Sequence, residues 1–132
     1  MAGAVATFAG ALALVGHGVG VQRERGPWTT DPGWHRFTSW SLLLAPVWFA
    51  IGVGIAGVRF LERGADPLAW DIAAIGPALA IGWVGQVLVG SWSHLLPAIG
   101  PGGPLAHGRQ RSILGRAATT RIIALDGGAA VA

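Results

Sequence analysis

The sequence predicts an all-α integral membrane protein, a bundle of three transmembrane helices plus the start of a fourth. Three observations point there. The nine basic side chains, all arginine, and the six acidic ones fall into three clusters at 23–36, 59–71 and 109–126. Between them lie uncharged, mostly apolar stretches at 1–22, 37–58 and 72–108, the last running 37 residues without Asp, Glu, Lys or Arg. A helix rises about 1.5 Å per residue and a bilayer core is about 30 Å thick, so roughly 20 apolar residues cross it. Finally, a 132-residue chain with 11% charged and 52% hydrophobic residues has too little polar surface to coat three buried helices. Lipid removes that requirement.

The first span, about 1–21, reads MAGAVATFAGALALVGHGVGV. It has no basic residue after Met1, so a transmembrane span fits it better than a secretory leader. Gly3, Gly10, Gly16, Gly18 and Gly20 weaken it as an isolated helix and predict that it leans on neighbours through small faces. Pro27 and the turn Asp31-Pro32-Gly33 stop it. Trp28, Trp34 and Trp40 surround the next entry point, where indole rings anchor a helix at headgroup depth.

The second span, about 37–58, carries Pro46, which removes one backbone hydrogen bond and frees the carbonyl of Leu42. A kink inside a packed bundle is expected. After a short loop of mixed charge comes the third span, about 72–96, roughly 37 Å long and ending at Pro97. A Gly/Pro-rich loop and the basic stretch HGRQRSILGRAATTR follow, with His107 expected to face solvent. The apolar run at 121–132 reads as a partial span. A single transmembrane domain over 1–132, itself a fragment of a longer polytopic protein, is the organisation this predicts.

Orientation follows from arginine. With the N-terminus outside, Arg23, Arg25, Arg36, Arg109, Arg111, Arg116 and Arg121 lie on the cytoplasmic side against Arg59 and Arg63 outside. The segment 100–120 is then inside, and the location is a bacterial cytoplasmic (inner) membrane. The expected partners are the lipid bilayer and further transmembrane helices of the same or another chain. Nucleic acid is not expected, because the arginines flank spans instead of forming a stripe interleaved with aromatics.

The chain has no cysteine, so a metal would be held by His or carboxylate or arrive as haem. On the third span Gly82, Gln86, Gly90 and His94 recur every fourth residue, with Gly85, Val89 and Ser93 beside them, forming a small and polar ridge turned away from Val84, Leu88 and Ser91. Close helix packing with Gln86 and Ser93 bonding across is one reading, and room for a flat cofactor is the other. His94 is an ionisable residue inside a span. With His17 and His35 it shares the cytoplasmic depth, and these three are the candidate cofactor-binding residues, for copper or haem iron. The Gly16-His17-Gly18 stretch lacks the strand, helix and lysine of a phosphate loop. No residue pattern specifies a reaction.

The stretch GWVGQVLVGSWSHLLPAIGPGGP, at 82–104, resembles the multi-helix membrane region that in some bacteria precedes cupredoxin-type copper oxidase domains of the nitrite-reductase kind. More distantly it is similar to the haem- and copper-linked membrane proteins of the nitric-oxide response. The resemblance implies a transmembrane segment of a copper- or haem-associated redox protein. It transfers no ligand, since no cupredoxin sequence occurs here and no ligand-bearing helix of the distant relatives is identifiable. Asp126 stands where such a helix would carry a neutral residue such as Asn. The competing reading is a non-enzymatic membrane module or transporter fragment whose helices only pack.

Overall fold

The computed structural model describes residues 2–30, 35–66, 68 and 70–132, and no strand occurs among them. Three long helices dominate: α1 (Ala2–Glu24), α2 (His35–Arg63) and α3 (Ile72–Ile99), each long and apolar enough to cross a membrane. Two shorter helices follow, α4 (Pro104–Gly115) and α5 (Ala118–Val131). The all-α bundle is therefore as the charge gaps predict. The Asp31-Pro32-Gly33 turn and Trp34 lie outside the described residues.

Helix α1 holds its form through all five glycines and packs along α2, with only Ala11 buried. Most of the rest of its surface is open, which suits a helix bathed in lipid rather than water. A short 3₁₀ turn at Pro27–Thr29 leads away from it. Helix α2 runs unbroken through Pro46 and stops at Arg63. There Gly64 adopts φ 77°, and its N–H donates to the Phe60 carbonyl at 2.9 Å, the left-handed closure that glycine makes at least cost.

Asp71 caps α3 by accepting from the Ala73 N–H at 3.1 Å. The helix is α-helical over Ile72–Pro77, π-helical over Ala78–Gly85 and α-helical again over Gln86–Ile99. The π segment begins directly after Pro77, whose missing N–H and bulky ring disturb the preceding turn. An i→i+5 turn holds more residues than an i→i+4 turn, so the face of α3 after Gly85 is rotated relative to that before it. Pro97 is buried inside α3, which ends two residues later at Ile99.

The stretch after α3 corrects the expectation of a basic loop. Gly102 turns the chain at φ 119°, and Pro104 takes the first helical position, where its lost N–H has no helical partner to bond. Helix α4 follows. His107 is half-buried rather than solvent-facing, with its Nε2 at 3.1 Å from the Gly100 carbonyl oxygen. Ala117, at φ 52°, then reverses the chain into α5, which packs on α2 and on α3.

Candidate functional site

The polar chemistry gathers at two depths. The first lies near the middle of the long helices. Trp48, roughly halfway along α2, donates its indole N–H to Asp126 Oδ1 at 2.6 Å, and Gln86, halfway along α3, donates its amide N–H to the same oxygen at 2.7 Å. Charge-assisted bonds of this length are the stronger kind. Gln86 is only 1% exposed, and its Oε1 is buried without a hydrogen-bond partner. The π segment ends on the residue before Gln86, so the widened turn sets which way this side chain leaves α3.

Small residues make the approach possible. A Cβ at Gly82 would run into Trp48, so the indole abuts bare backbone. A Cβ at Gly90 would meet Ser41 Cβ at 2.8 Å, and Thr38 Oγ1 donates to the Gly90 carbonyl at 3.2 Å across the same seam. Gly82, Gln86, Gly90 and Ser93 are all buried, while Val84 and Leu88 are exposed. The Ser93 hydroxyl donates back to the Val89 carbonyl at 2.7 Å and accepts from Arg121 at 3.4 Å.

The second depth lies at the end shared by the loop after α1, the start of α2 and the end of α3. The Trp28 and His35 rings stand 4.2 Å apart by centroid, and His94 lies 6.0 Å from Trp28 and 6.1 Å from His35. The Arg25 guanidinium sits 5.1 Å over Trp28. A cavity of about 230 Å³ opens here, lined by Arg25, Trp28, Thr38, Leu42 and His94 among others. His35 and His94 are thus brought together, whereas His17 is exposed on α1. Among the described residues no group of three or more His, Asp or Glu could hold a metal ion.

Arg121 links the two depths. Its guanidinium lies 3.7 Å over the fully buried Phe37 ring and donates to the Leu114 carbonyl at 2.7 Å, closing the C-terminal end of α4. Five residues later α5 delivers Asp126 to mid-depth. Sequence reasoning did not find the Trp48–Asp126 contact. The signal for it was present as one carboxylate in an apolar run, a group that in lipid needs a polar partner. Comparison with family models, characterised proteins and solved structures yields no match.

Proposed function

We propose that this chain is a multi-pass membrane module whose helices are locked together by polar contacts, with its N-terminus outside and the segment 100–120 on the cytoplasmic side. The observation that carries this reading is the convergence of Trp48 and Gln86, from two spans, on Asp126 of α5. In lipid, apolar side chains gain nothing by leaving the solvent, so close backbone contacts and cross-helix hydrogen bonds hold helices together. Gly82 and Gly90 supply the contacts, and Asp126 and Thr38 the bonds. A reporter fused after Gly103 should behave as cytoplasmic and one inserted at Gly64 as extracytoplasmic. Inverted signals would refute the orientation, and release of the chain from membranes by alkaline carbonate would refute the membrane reading itself.

A redox-associated role is the second reading, favoured by the His35–His94 pair. Their ring centroids lie 6.1 Å apart, and imidazole is a usual ligand of a copper ion. Such an ion would supply one-electron chemistry, with His35 and His94 holding it and Trp28 bracing the His35 ring. Haem fits less well, because the adjoining cavity of about 230 Å³ is smaller than the roughly 300 Å³ at which pockets for drug-sized ligands begin.

A further inference from the structure

We propose that Asp126, with Gln86 as its partner, is a proton-binding site at mid-depth in the bundle. The inference goes beyond the packing role, since a lock needs only a fixed hydrogen bond. Three features separate this carboxylate from a structural tether. It reaches residues near the midpoints of α2 and α3, where an ionisable group in a membrane protein marks an ion or proton path more often than a fold element. One of its two partners is an amide, which can serve both protonation states. In the charged state the Gln86 N–H donates to Asp126 Oδ1. Turning the amide over exchanges Nε2 with Oε1, which brings a carbonyl oxygen to the same 2.7 Å, ready to accept from a protonated Oδ1. Finally, the buried Oε1 of Gln86 lacks a donor, so the amide can turn over with no net change in unpaired atoms: Oε1 gains the proton of Oδ1 while Nε2 takes its unpaired place.

The bound species is a proton rather than a metal cation. Trp48 can present only its N–H to Oδ1, and a cation such as sodium or calcium needs several oxygens around it, whereas Gln86 could add at most one to those of the carboxylate. The proton comes from bulk solvent, where one O–H bond of hydronium breaks as the O–H bond on Asp126 forms, and it returns by the reverse exchange. The surrounding charges are sparse. Helix α2 carries no ionisable residue between Arg36 and Arg59, and α3 carries His94 alone, two turns beyond Gln86 beside His35. On α5 the ionisable neighbour is Arg121, turned toward Phe37, Leu114 and Ser93. At the start of α2 the buried hydroxyls of Ser39 and Ser41 have no hydrogen-bond partner.

The test is infrared difference spectroscopy of the full chain in lipid nanodiscs, reading the carbonyl stretch of protonated carboxyl groups as pH is varied. The wild type should gain a band on acidification that Asp126→Asn lacks and that Asp126→Glu retains at a shifted frequency. Trp48→Phe removes a donor that favours the charged form, so the midpoint of the band should move up by about one pH unit or more. A wild type with no band sensitive to Asp126 substitution at any pH where its helical circular dichroism persists would overturn the proposal. So would a band that does not change with pH, or a Trp48→Phe midpoint that stays put or falls. Melting of the same samples reports the lock separately: Asp126→Asn can leave the bundle intact and still abolish the band.

Discussion

Replacing Gly90 by leucine tests the α2–α3 seam most directly. A Cβ at this position lies 2.8 Å from Ser41 Cβ, closer than real carbon atoms come, and the neighbour is a short side chain fixed on a helix. The helices must therefore separate rather than let a flexible tip swing aside. Overpacking of this kind costs about 1–3 kcal/mol. Separation also stretches the Thr38 Oγ1 bond to the Gly90 carbonyl, now 3.2 Å, and a membrane hydrogen bond contributes about 0.6 kcal/mol on average. The sum is a loss of roughly 2–4 kcal/mol. Val84→Leu on the same helix is the control: Val84 is 43% exposed, and an enlarged side chain there meets lipid, with a change within about 0.5 kcal/mol. The assay is reversible unfolding of the purified chain in mixed micelles by increasing the denaturing detergent, followed by circular dichroism. Gly90→Ala should fall between the two. Equal midpoints for Gly90→Leu and Val84→Leu would refute the reasoning, because the close contact would then carry no energy.

Ala117→Gly should raise stability by about 1 kcal/mol in the same assay, since Ala117 sits at φ 52° and a side chain in left-handed backbone costs about 1–2 kcal/mol, partly offset by glycine's larger unfolded-state entropy; a loss of stability would place the strain elsewhere. If His35 and His94 hold copper, protein purified in detergent and loaded with cuprous ion should keep about one equivalent through desalting. His94→Ala should release it while melting within about 1 kcal/mol of the parent, and full retention in His94→Ala would remove the second reading.

Legibility in the sequence differed from element to element. The three long helices could be read because a span requires only a length of uncharged residues, and the gaps at 1–22, 37–58 and 72–108 announce themselves. Helix α4 was harder. Its arginines and glycines look like a loop, and what makes it helical is the entry through Gly102, Gly103 and Pro104 together with the cap that Arg121 places on its last turn. His107 followed the same error, because its contact with the Gly100 carbonyl exists only once α4 folds back against the end of α3.

Hydropathy is a local property, set by transfer of each residue between water and lipid, so the chain order alone determined which segments are long and apolar enough to cross and that arginine gathers at their ends. The recurrence of Gly82, Gln86 and Gly90 on one side of a helix is equally a matter of spacing. What that side meets is not. Gln86 and Asp126 are 40 residues apart, and Trp48 and Asp126 are 78 apart. Their meeting depends on how α2 and α3 are rotated, on the π turn before Gln86 and on the left-handed residue at Ala117 that sends α5 back to mid-depth. The same rotation joins His35 to His94 and leaves His17 outside. A helix rotated about its own axis keeps its hydropathy but changes every partner, which is why only the tertiary structure decided where the polar groups meet.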